Sequence, residues 1–213
     1  MKNLILMHGA LGAASEFDKF IPLLKEHFTV HTFDFSGHGK NDSETEFSMS
    51  LFATDLIAYI RQKRLVQPQI FGYSMGGYVA YTLAINNPEL LGDIMSLGTK
   101  LKWNAEEAQK ETRKLDPDKI EEKVPKFANY LDSLHLDWKK NMIRTIGLMN
   151  GLGNGKALTR DDFSLIRNKC FTGLAENDEM VSREETLAVS QVIPDSTFFI
   201  IFCQACKAFI PDQ

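Results

Sequence analysis

Apolar and polar positions alternate between two periods along most of this chain. Leu4-Ile5-Leu6-Met7 is a continuous apolar run of strand length, and Thr29 to Phe35 alternates, the marks of a buried and a half-buried strand. Gln69 to Gly72, Asp93 to Gly98, Lys169 to Ala175 and the very apolar Thr197 to Phe202 read as further strands. Helical spacing falls between them. Phe17, Phe20, Ile21, Leu24 and Phe28 predict a helix over residues 15–28 that must accommodate Pro22, and Leu51, Leu56, Ile57 and Ile60 predict one over 50–64. Val79, Leu83 and Ala84 predict another before Pro88, and Ser182 starts one that runs through Ile193. Strands alternating with helices at this spacing predict an α/β fold, a doubly wound and mostly parallel sheet.

The rhythm breaks between Thr99 and about Asp161. No strand pattern appears there, and helix starts at Asn104, Asp116-Pro117 and Asp137 predict three helices ending in the glycine cluster Gly147 to Gly155. Residues 99–161 are therefore expected to form a small helical cap inserted into a core of residues 1–98 and 162–213. Trp103, Phe127, Tyr130, Leu134, Met142, Ile146 and Met149 would hold that cap together and shape an apolar pocket.

The candidate chemistry sits at Gly72-Tyr73-Ser74-Met75-Gly76-Gly77, where a strand pattern meets a helical one. A serine on so sharp a turn needs neighbours without side chains, and G-x-S-x-G supplies them. The loop His8-Gly9-Ala10-Leu11-Gly12 follows the first strand at once and can aim a backbone N–H outward. Asp178 lies in a loop after a strand, where it reads either as a functional acid or as a turn and helix cap. His8 and His38, each beside glycine, read as structural hydrogen-bonding groups.

Composition narrows the partners. With 24 Lys+Arg against 28 Asp+Glu, the net charge is −4, and no basic cluster interleaves with aromatics, so nucleic acid is not expected. No apolar stretch approaches membrane-spanning length, and the first residues do not form a signal peptide. Three cysteines make no disulfide framework, which fits a cytoplasmic location. Cys203 and Cys206 form a lone CxxC with no second ligand pair, so neither metal nor cofactor is expected.

With these pieces in order, nearly the whole chain resembles the α/β-hydrolase superfamily, close to its small capped esterases and menaquinone-pathway synthases. The resemblance implies Ser74 as nucleophile and Asp178 as the acid that orients a histidine. It implies the N–H groups of Met75 and of Ala10 or Leu11 as oxyanion donors, acting on a small ester, thioester or related carbonyl substrate. It also implies a histidine in the loop after the last strand. The chain's histidines are His8, His27, His31, His38 and His135, all before Asp178, and Cys203 to Gln213 carries no closing helix pattern. The expectation is therefore an impaired serine hydrolase, or else a non-catalytic protein that binds a small ligand in the same pocket. A sheet face without its helix is further expected to lower stability or drive self-association into a homo-oligomer.

Overall fold

The computed structural model describes residues 1–202. Cys203 to Gln213, which include Cys206 and follow the last strand where the resemblance implies a histidine, lie outside them. The sheet contains β1 (Lys2–Met7), β2 (Phe28–Thr32), β3 (Gln69–Tyr73), β4 (Ile94–Leu97), β5 (Cys170–Ala175) and β6 (Ser196–Ile201), in the order β2-β1-β3-β4-β5-β6. Every pairing is parallel, as helical crossovers require. All strand ends that follow the chain direction therefore share one rim.

The register separates two rows of side chains. Ile5, Ile70, Ile94 and Cys170 are successive partners across β1, β3, β4 and β5, and all are buried. Over that face pack α2 (Met49–Gln62), capped by the Ser48 hydroxyl, and α3 (Met75–Asn86). The helix α9 (Arg183–Ser190), with a Ser182–Glu185 capping box, packs on β5 and β6. Leu6, Phe71, Met95 and Phe171 form the opposite row and help to wall a cavity of about 510 Å³, closed at the β1 side by Phe17, Phe20, Leu23 and Leu24.

Those four covering residues correct the expected helix over 15–28. A 3₁₀ turn (Ala14–Phe17) and a one-turn helix α1 (Ile21–Leu24) stand there instead, because Pro22 lacks an N–H and fits only at a helix start. The segment between β4 and β5 also holds more helices than expected. It contains α4 (Ala105–Thr112), α5 (Pro117–Lys123), α6 (Pro125–Leu134), α7 (Trp138–Gly151) and the short α8 (Arg160–Ser164). Pro125 splits the expected second helix after Val124, again by sitting at a helix start. Ile120, Ala128, Leu131, Trp138 and Met142 make a separate apolar cluster, onto which Leu11 of the β1 loop packs. Among the described residues no helix is long and apolar enough to cross a membrane.

A buried hydroxyl chain locks α3 to the sheet. Tyr81 Oη lies 2.7 Å from both Ser96 Oγ on β4 and Thr172 Oγ1 on β5, and Thr172 reaches Ser196 Oγ on β6 at 3.3 Å. Tyr81→Phe leaves its buried partners short of a bond, at a cost of about 1–3 kcal/mol. The expected result is a lower urea midpoint with an unchanged slope; an unchanged midpoint would show that the chain closes without Tyr81.

Candidate active site

β3 ends at Tyr73 and α3 begins at Met75, so Ser74 alone makes the turn between strand and helix. Its backbone sits at φ 49°, ψ −116°, a conformation that a residue with a Cβ adopts only under strain. The Ser74 N–H donates to the Leu97 carbonyl at 2.9 Å. The Ser74 carbonyl accepts from Thr99 Oγ1 at 2.9 Å and from the Gly77 N–H at 3.1 Å. Both flanking peptides are thus fixed by β4 and by the first turn of α3.

The neighbouring glycines are dictated by space. A Cβ on Gly72 would lie 2.3 Å from the Gly77 nitrogen, and one on Gly76 would lie 2.5 Å from the Met7 carbonyl oxygen. Strand, turn and helix cross too closely for any side chain. The side of Ser74 facing β1 is equally tight, for a Cβ on Gly9 would stand 3.2 Å from Ser74 Cβ. This brings the loop after β1 against the serine. Leu11 in that loop holds φ 60°. Among the described residues, the N–H groups of Ala10, Leu11 and Met75 donate to no backbone carbonyl in the turns and loops. Donors of that kind can receive charge developing on a carbonyl oxygen held at Ser74.

Asp178 follows β5 at the same rim. Its Oδ1 accepts from the N–H groups of Met180 (3.0 Å) and Val181 (2.8 Å), the turn-forming role read as one alternative from sequence. Its Oδ2 faces Gly98, 3.2 Å from where a Cβ would stand, and Gly98 directly follows Leu97, the residue that anchors the Ser74 N–H. The acid loop is further tied down by buried Lys100. Its Nζ donates to the Met180 carbonyl at 3.3 Å and pairs with Glu107 of α4 at 2.8 Å and with Glu185 of α9 at 3.9 Å.

Three histidines form a buried group beside the β1 loop. The ring centroids of His8 and His38 are 5.1 Å apart, and those of His38 and His135 are 5.9 Å apart. His8 Nε2 accepts from the Phe35 N–H (3.3 Å), so its Nδ1–H donates to the Gly9 carbonyl (2.8 Å). His38 Nδ1–H donates to the Ser36 carbonyl at 3.2 Å, and its buried Nε2 has no hydrogen-bond partner among the described residues. His31 bonds Asn3, and none of the described hydrogen bonds joins a histidine to the Ser74 hydroxyl. His8 and His38 thus act structurally, as their positions beside glycine suggested. His135 gave no such signal, because its partners are distant in sequence. Asp34 was also missed; its carboxylate accepts the N–H of Ala14 at 2.8 Å and of Lys40 at 3.1 Å, joining the loops after β1 and β2.

The strain at Ser74 has a measurable consequence. Ser74→Gly relieves a cost of about 1–3 kcal/mol, whereas Ser74→Ala keeps the Cβ and the strain. The glycine variant should therefore melt higher than both wild type and the alanine variant; equal midpoints for the two variants would place the strain elsewhere.

Burial, more than any neighbour, lowers His8 from its ordinary 6.5 to about 4, against the opposing bond to Gly9. Burial likewise lowers His38 and His135. Between 6.5 and about 4 the unfolded chain takes up a proton that folded His8 refuses, so stability is complete above that window and falls as the pH drops through it. Urea midpoints should decline across the window, and a flat profile would contradict the buried neutral rings.

A family model described as alpha/beta hydrolase fold matches residues 2–146. The uncharacterized hydrolase YugF of Bacillus subtilis is 28% identical over 98 residues, 45% of this chain and 36% of YugF. The pimeloyl-[acyl-carrier protein] methyl ester esterase of Aeromonas hydrophila is 28% identical over 99 residues, 46% of this chain and 37% of that protein. The chain spans less than half the length of the curated relatives it matches. Among solved structures, a thermophilic esterase from Thermogutta terrifontis superposes with a TM-score of 0.75 at 20% identity, covering 94% of this chain and 81% of that one. The family model covers more than half of the chain and includes the whole Ser74 turn, so this chain belongs to the alpha/beta hydrolase fold family.

Proposed function

We propose that the chain carries a serine hydrolase site for a small ester, thioester or related carbonyl compound. Ser74 is its nucleophile, the N–H groups of Met75 and of Ala10 or Leu11 are its oxyanion donors, and Asp178 is the acid that would orient a base. The observation that carries this reading is the Ser74 backbone, φ 49°, ψ −116°, held on a turn whose glycines admit no Cβ. Such strain at a half-buried strand-to-helix turn is what a nucleophile raised above the sheet requires. The esterase names of several relatives favour carboxylic esters within this class. Residues 99–161 serve in this reading as the cap over the site.

The same reading includes a low rate. None of the described hydrogen bonds joins a histidine to the Ser74 hydroxyl, and His8 and His135 spend both ring nitrogens on backbone groups. A serine site that no general base reaches retains roughly 10³- to 10⁴-fold over water from its oxyanion donors and binding. The committed rings favour, as a second reading, a binder of small ligands in the same site.

An alkyl fluorophosphonate tests the nucleophile directly. The 213-residue chain should acquire one phosphonyl group on Ser74, Ser74→Ala should acquire none, and turnover of an aryl acetate should stay near background. Labelling elsewhere, or none, favours the binder. Turnover at enzymatic rates that Ser74→Ala abolishes would show that a base does reach the serine.

A further inference from the structure

Leu11 is held in a conformation it would not choose. At φ 60° its Cβ crowds its own backbone, and a strained residue persists only where its surroundings over-determine it. The surroundings are supplied by the helical segment. The Leu11 side chain packs against the Ile120–Leu131–Trp138 cluster, and its carbonyl accepts a 2.9 Å hydrogen bond from His135 Nε2–H. The tautomer is fixed from the other side, because His135 Nδ1 accepts the Gly39 N–H at 2.9 Å and must carry no proton. Gly39 is itself anchored, its carbonyl accepting from the Leu136 N–H at 3.2 Å. A second tie runs nearby, where Tyr130 Oη–H donates to Glu16 Oε1 at 2.7 Å while Glu16 Oε2 accepts the Ala13 N–H at 3.0 Å.

We propose that His135 is a positioning residue for the chemistry at Ser74. Its Nε2–H holds the Leu11 carbonyl, and so the left-handed Leu11 backbone, in the orientation that presents the Ala10 and Leu11 N–H groups to an oxygen bound at the serine. The inference rests on the serine-hydrolase reading above. It adds that the helical segment is part of the oxyanion site, reaching it through the backbone rather than through a contact with substrate. If that bond is lost, Leu11 relaxes toward ordinary φ and the Ala10–Leu11 peptide rotates away from Ser74.

Two substitutions separate the two ring nitrogens. His135→Gln places an amide donor where Nε2 stands and gives up the acceptor for Gly39; His135→Asn places an acceptor where Nδ1 stands and gives up the reach to Leu11. Each loses one bond, so a merely structural histidine would be weakened alike by both. Phenylboronic acid is the probe, since it needs no general base. Ser74 Oγ forms a bond to boron, the hydroxyl proton leaves to solvent, and the tetrahedral boronate places an oxygen among the oxyanion donors. By boron NMR and calorimetry, His135→Gln should bind within about threefold of wild type and His135→Asn should bind roughly tenfold or more weakly, at comparable melting temperatures.

Equal weakening in both variants, or none in either, overturns the assignment while leaving Ser74 intact. No adduct in wild type, or an adduct that survives Ser74→Ala, overturns the serine reading and this inference with it. If both variants unfold, the wild-type chain still decides: long-range proton–nitrogen NMR should show the Nε2–H tautomer at His135, and the Nδ1–H form overturns the proposal.

Discussion

A backbone crossing that leaves no room for a Cβ governs this molecule. β3, the turn at Ser74 and the first turn of α3 approach so closely that Gly72 and Gly76 would each drive a side chain into main-chain atoms. The gain from that compression is a serine lifted off the sheet. Its cost is a residue at φ 49°, held only because the Leu97 carbonyl, Thr99 hydroxyl and Gly77 N–H pin the peptides on both sides. Much of the sheet can be seen as the frame for those pins. The loop after β1 brings Gly9 against the serine, β4 and the loop after it supply Leu97 and Thr99, and the loop after β5 carries Asp178 to Gly98.

The parts of the site closest to that crossing were legible in the sequence, and for a physical reason. A requirement for no side chain can be met only by glycine, so the constraint at Gly72, Gly76 and Gly77 is written in residue identity. The strands were legible because rows such as Ile5–Ile70–Ile94–Cys170 must be apolar to sit between the sheet and its helices. Asp178 was placed correctly after a strand end, and its two oxygens divide the work, Oδ1 making the turn and Oδ2 facing Gly98.

What stayed hidden depends on partners that are distant along the chain. His135 meets Gly39 and Leu11, 96 and 124 residues away, and nothing in its neighbours announces either bond. Pro22 and Pro125 misled for a different reason. Apolar spacing reports which face is buried, not whether the backbone can supply every N–H along the way, so a periodic segment broke into a turn and a short helix at one proline and into two helices at the other.

Lys100 shows how closely the pieces share one electrostatic balance. A single buried ammonium faces two carboxylates, Glu107 on α4 and Glu185 on α9, while also holding the carbonyl of Met180 in the acid loop. Its bond to Glu107 keeps that carboxyl below its ordinary range. Neutralising the lysine would leave two negative charges facing each other across the junction of helical segment and core, turning an attraction into a repulsion. The charge of one side chain therefore favours drawing α4 and α9 together, beside the loop that bears Asp178.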